Sequence, residues 1–142
     1  MKDKFWPAWA RAATAALLLG AGLAGCVPAP DLAPVQAERS KPVQRFDAFQ
    51  SAASNGKWIV AGAAGGVVVA SGDAGVTWVR HTLAQPSSVV AMTHCPDGSF
   101  AALDFYKKVW TAGADAATWT AHAIPTRSDL LSITCDPANR LW

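Results

Sequence analysis

A repeat with a period in the low forties runs through the chain and constrains its fold more than any other feature. Asn55-Gly56-Lys57-Trp58-Ile59-Val60 matches Asp97-Gly98-Ser99-Phe100-Ala101-Ala102 at an offset of 42. Thr77-Trp78-Val79-Arg80-His81 matches Thr118-Trp119-Thr120-Ala121-His122 at 41, so one residue is lost between the copies. A third copy begins, with Ile133-Thr134 on Met92-Thr93 and Pro137 on Pro96. Self-similarity at this spacing marks repeat architectures, in which each unit buries its faces against its neighbours.

Each copy reads as four short strands separated by turn signals. The first predicts strands near Ala48–Ala53, Lys57–Gly62, Val67–Ala70 and Thr77–His81, with turns at Asn55-Gly56 and Gly65-Gly66. The second predicts Val89–His94, Ser99–Leu103, Lys108–Thr111 and Thr118–His122. Trp58-Ile59-Val60-Ala61 and Val67-Val68-Val69-Ala70 are apolar at every position rather than alternately, so both faces of these strands need cover. Flanking glycines and three consecutive valines argue against a helix over 67–70.

Ser71-Gly72-Asp73-Ala74-Gly75-Val76-Thr77-Trp78 carries every position of the pattern S-x-D-x-G-x-T-W. It resembles the Asp box (BNR repeat) of β-propellers such as sialidases, sortilin-like receptors and photosystem assembly factors. The second copy, Ala112-Gly113-Ala114-Asp115-Ala116-Ala117-Thr118-Trp119, keeps Thr118 and Trp119 but lacks the glycine and displaces the Asp. The resemblance covers roughly residues 47–142 and implies an all-β fold, a partial propeller of two four-stranded blades and the start of a third. It also implies a structural role for Ser71, Asp73, Gly75, Thr77 and Trp78. Asp73 would accept bonds from turn N–H groups, Gly75 would take a backbone conformation other residues resist, and Trp78 would pack between sheets.

The opposite loops are where propeller ligands usually sit. They are Phe105-Tyr106-Lys107-Lys108, Gln85-Pro86-Ser87-Ser88 and Pro125-Thr126-Arg127-Ser128-Asp129, and Tyr106, Lys107, Lys108 and Arg127 are candidates for a small basic, aromatic contact patch. His81 and His122 recur one period apart, as a repeated structural slot rather than a metal pair, and no cofactor is implied. Glycoside hydrolysis needs two carboxylates or, in sialidases, a tyrosine with a glutamate and an arginine cluster. The single glutamate, Glu38, lies outside the repeats, so the expected function is binding or assembly, without catalytic residues. The alternative is a sialidase-like hydrolase whose catalytic groups lie in blades absent from this chain.

The stretch from Met1 to Gly25 has the layout of an export signal. Lys2, Lys4 and Arg11 precede an uncharged apolar run from Ala12 to Gly25, 14 residues where a spanning helix needs roughly 20. Leu23-Ala24-Gly25-Cys26 resembles the lipobox of bacterial lipoproteins, which implies lipidation at Cys26, and Val27 in the following position favours the outer membrane, facing the periplasm. Residues 26–46 hold Pro28, Pro30, Pro34 and Pro42 and read as a disordered tether without helix or strand. The membrane is thus an expected partner through the lipid, beside an unknown protein or glycan ligand.

Residues 26–142 carry nine basic and nine acidic side chains, which leaves no basic field for nucleic acid. With Cys26 lipidated, Cys95 and Cys135 form an even remainder, open to one disulfide or to two buried thiols on neighbouring inner strands. A propeller closes with roughly 4–8 blades. The copies counted above therefore imply a fragment of a longer chain, self-assembly of several copies, or a truncated product. Ending inside a strand at Leu141-Trp142, with open edges, favours the fragment.

Overall fold

The computed structural model describes residues 29–142 except Pro86; the export signal, Cys26 and Val27 lie outside the described residues. The fold is mostly β: two antiparallel four-stranded sheets, each a simple meander. Sheet A comprises β1 (Phe49–Ser54), β2 (Ile59–Ala63), β3 (Val67–Ser71) and β4 (Val79–Thr82). Sheet B comprises β5 (Val89–His94), β6 (Phe100–Asp104), β7 (Lys108–Ala112) and β8 (Trp119–Ala123). The eight expected strands are all present, displaced by at most two residues at their ends.

Pairing corrects the first hairpin. Ile59 faces Ser71 and Phe100 faces Ala112, so β2 and β6 are related by an offset of 41, as are β3 and β7. Ser54 pairs with Ile59 and His94 with Phe100, which relates β1 to β5 by 40. The odd residue therefore sits in the β5–β6 turn, and Trp58 does not stand where Phe100 stands. Both turns need a left-handed residue, supplied by Gly56 (φ 89°) and Gly98 (φ 86°). In the third copy Asn139 (φ 60°) takes the same place, and Cys135 bridges Leu141 as His94 pairs with Phe100. Asn is among the few side chains that tolerate this conformation.

The sheets pack through one shared apolar cluster. Val60, Val68 and Ala70 of sheet A meet Val89, Phe100, Ala102 and Trp110 of sheet B, with Leu83 and Ala116 from the connections. A fully buried Val or Phe contributes about 1.5–3 kcal/mol. Gly62 marks the tightest approach, because a Cβ there would sit 2.4 Å from Val89 Cγ1. The other face of sheet B holds Ala101, Leu103 and Val109, covered by Ile124, Leu130, Ile133 and Leu141. Of the two strands expected to be covered on both faces, β3 has four of five residues buried and β2 three of five, the other residues being half-buried; every residue of β6, which ends in Asp104, is buried as well.

The expectation of a structureless run up to residue 46 needs correction. A short helix, α1, spans Ala33–Arg39. Pro34 is compatible with it because it falls in the first turn, where its missing N–H is not needed, and Asp31 Oδ1 accepts the Ala33 N–H at 2.9 Å. Beyond the helix, Glu38 accepts from Lys41 Nζ (2.6 Å) and the Arg45 N–H (3.1 Å). Asp47 then forms a two-point ion pair with Arg80 of β4.

Candidate functional site

The two ends of the sheets carry different chemistry. At one end lie the β3–β4 and β7–β8 turns, at the other the β2–β3 and β6–β7 turns and the β4–β5 connection, as the meander order requires.

The β3–β4 turn is built by the S-x-D-x-G-x-T-W segment acting as a unit. Ser71 Oγ, 1% exposed as a residue, donates to Asp73 Oδ1 at 2.8 Å and accepts the Gly75 N–H at 2.8 Å. Asp73 accepts from the Thr77 hydroxyl (2.6 Å) and the Thr77 N–H (2.8 Å). Gly75 has φ 90°, and Trp78 Nε1 donates to its carbonyl at 3.0 Å. The β7–β8 turn keeps only part of this. Ala112 and Ala114 replace Ser71 and Asp73, Asp115 Oδ1 accepts from Ala117 N, and Ala116 occupies the glycine place at φ 53°. Trp119 Nε1 still donates to Ala116 O at 3.1 Å. The indole-to-carbonyl bond is thus the part of the turn that both copies share.

Trp78 corrects one expectation: it does not lie between sheets A and B. Trp119 packs against the shared core, whereas Trp78 faces Lys41, Pro42 and Val43 across a cleft of about 380 Å³.

Hydrogen bonds from the Thr77 side chain first, then its backbone and Ser71, hold the Asp73 carboxyl at about 2, below its ordinary 3.8. The depressed value means that this group stabilises the fold above pH 3.8 and that its contribution is lost as pH falls toward about 2. Asp47, Asp97 and Asp136 are shifted the same way, by Arg80, by Ser99 and by the Arg140 backbone respectively. Thermal unfolding between pH 4 and pH 2 is expected to show a steep fall in midpoint that is shallower in Asp73→Asn. Identical slopes in the two proteins would remove Asp73 from the acid transition.

At the other end is a cleft of about 600 Å³ lined by Val90, Phe105, Tyr106, Lys107, Asp129, Leu130 and Leu131. Phe105 and Tyr106 are 69% and 67% exposed and stand edge to face, with ring centres 5.7 Å apart. Lys107 has φ 63°, which turns the chain sharply back into β7. Its Nζ donates to Arg127 O (3.0 Å) and lies 3.6 Å from Asp129 Oδ1. Lys108 Nζ is held by Gln85 Oε1.

The structure therefore gathers Tyr106, Lys107 and Asp129 at one cleft but does not make the basic patch expected of Lys107, Lys108 and Arg127. Lys107 is tied to groups of the loop opposite, Lys108 points to Gln85, and Arg127 contributes its carbonyl. What remains is an aromatic and aliphatic surface with a neutralised charge pair at its rim.

Asp104 escapes sequence reasoning. It is 1% exposed, its Oδ1 accepts the Lys108 N–H at 2.9 Å and its Oδ2 accepts Trp110 Nε1 at 3.0 Å. This carboxyl anchors the turn that presents Phe105 and Tyr106. An acidic residue closing an apolar strand before a tight turn is the signal that could have found it.

Cys95 and Cys135 are bonded to each other, which resolves the alternatives left open by their count. His81 and His122 occupy equivalent places opposite Val68 and Val109, and His122 Nε2 is 3.0 Å from Thr111 Oγ1. Among the described residues no helix is long and apolar enough to cross a membrane. No protein-family model and no curated protein matches the chain.

Proposed function

We propose that the chain is an exported, lipid-anchored scaffold for binding or assembly, of the Asp-box propeller type, in which sheets A and B are successive blades. The ligand side is the cleft beside Phe105 and Tyr106. The observation that carries this reading is the recurrence of one strand register from sheet A to sheet B, with the S-x-D-x-G-x-T-W turn at one end and exposed aromatics at the other. Turns of that kind spend their hydrogen-bonding groups on their own backbone, which suits a structural part. The aromatic cleft, by contrast, leaves large apolar surface open, as binding sites do.

The Cys95–Cys135 bond fits an oxidising compartment. It agrees with export to the cell envelope and with lipidation at Cys26 in the outer membrane. A chain carrying Cys26→Ser is expected in the soluble envelope fraction, and its continued retention in membranes would refute the anchor. For the cleft, a photo-crosslinker at Leu131, 84% exposed, is expected to trap an envelope partner that the Phe105→Ala, Tyr106→Ala double variant loses at unchanged melting temperature. Equal trapping by the double variant sinks the cleft assignment, and turnover of a fluorogenic sialoside by the purified chain sinks the non-catalytic reading.

A further inference from the structure

Register identifies the outward face of sheet A, the one turned away from sheet B. Ala61, Val69 and Arg80 lie on it, paired across β2, β3 and β4. Their counterparts one repeat later are Ala102, Trp110 and Ala121, paired across β6, β7 and β8. Ala102 and Trp110 belong to the core cluster shared with sheet A. The outward face of sheet A is thus built to the same plan as a surface that, in sheet B, packs against another sheet.

Residues 41–47 reach this face at Arg80, which bonds Pro42 O and Asp47. Ala117, Thr118 and Trp119 share a cleft with Arg80, His81, Thr82, Leu83 and Ala84. One repeat earlier, Val76, Thr77 and Trp78 share a cleft with Lys41, Pro42 and Val43. The neighbours are offset by the same amount as the turns: Lys41, Pro42 and Val43 stand one full period before Thr82, Leu83 and Ala84, and Gln44 likewise precedes Gln85.

We infer that residues 41–47 are the closing stretch of a preceding repeat, docked on the outward face of sheet A where the end of a neighbouring fourth strand belongs, and locked there by Asp47 and Arg80. The inference rests on the repeat register and is independent of the lipid anchor and of the cleft.

The lock is specific. Arg80 Nη1 donates to Asp47 Oδ2 (2.8 Å) and to Pro42 O (3.0 Å), while Nη2 donates to Asp47 Oδ1 (2.9 Å). Asp47 Oδ2 also accepts the Gln44 N–H at 2.8 Å, which fixes the bend of the strap. The side chains of Asp47 and Arg80 are 5% and 24% exposed, so the pair is shielded from solvent as surface pairs are not. Ala121, which is exposed, holds the place of Arg80 in sheet B, so the ion pair is not repeated there.

Limited trypsin digestion of the full chain in detergent tests this. Arg80→Ala is expected to speed cleavage after Arg39 and Arg45 roughly tenfold or more, because cleavage follows the population of the opened segment, while the Lys41–Pro42 bond resists trypsin in every variant. Cleavage after Arg127 should stay as in the wild type. Asp47→Asn is expected to give the same pattern, and exchanging the pair, Arg80→Asp with Asp47→Arg, to recover part of the protection. Amide exchange should rise together in residues 41–47 and 76–79 of Arg80→Ala, with β6 and β7 unchanged. Equal cleavage of wild type and both single variants overturns the lock. A strap that exchanges faster while residues 76–79 stay protected overturns its docking on sheet A.

Discussion

Removing the Cys95–Cys135 bond, by Cys95→Ala with Cys135→Ala or by reduction, is expected to lower the unfolding free energy by about 4 kcal/mol. The bond closes a loop across a sequence separation of 40, and the chain-entropy relation for a loop of that size gives this figure. At roughly 4–8 °C per kcal/mol for a domain of this size, the melting temperature should fall by some 15–30 °C. The loss has a direction as well as a size. Cys95 closes β5 at the turn into β6, and Cys135 lies in the third copy beside its bridge to Leu141, so the bond joins sheet B to the stretch that covers its second apolar cluster. Leu130, Ile133 and Leu141 should therefore loosen before the core between the sheets does. Urea unfolding with and without reductant checks the magnitude, and a difference under about 1 kcal/mol would show that the cover holds without the bond.

The second large effect is expected at Asp104. Replacement by alanine leaves the buried Trp110 indole N–H and the half-buried Lys108 N–H without their acceptor; an orphaned buried donor costs about 1–3 kcal/mol and a half-buried one less. A loss of about 3 kcal/mol is therefore expected, with a change in tryptophan fluorescence as Trp110 changes its surroundings. Asp104→Asn should fall between, because an amide oxygen can accept one of the two donors while the amide nitrogen opposes the other. A loss below about 1 kcal/mol in Asp104→Ala would mean that the β6–β7 turn finds another acceptor, and the presentation of Phe105 and Tyr106 would then owe nothing to this carboxyl.

Strands and turns were legible because their causes are local. Uniform apolar runs such as Val67–Ala70 declare two-sided burial, and Gly56 and Gly98 declare left-handed turns. The register of the first hairpin was not legible. Trp58 and Phe100 are both aromatic, and similarity of side chains masked a turn that differs by one residue. Asp104 was hidden because its counterpart in the first copy is Ala63, so no repeat drew notice to it. The charge pairing of Lys107 was hidden for another reason. Its partners, Arg127 and Asp129, approach from a connection well downstream in the chain, and only folding brings them together. Residues 41–47 were obscured by their one proline. Pro42 discourages any strand, and among the strap residues compared with the later copy only Gln44 is identical to its counterpart, Gln85.

The position of the disulfide also decides how the protein answers a mechanical load. A pull between the N-terminal side and the far end enters through residues 41–47 and sheet A, reaches Cys95, and crosses directly to Cys135 through sulfur. Strands β6, β7 and β8 lie inside that covalent bypass and carry no tension. Sheet A and β5 can be peeled away, while the strand order behind Phe105 and Tyr106 stays out of the force path. The separation of 40 between the two cysteines corresponds to about 140 Å of contour at roughly 3.3–3.6 Å each, all of it unavailable to stretching until the bond is reduced.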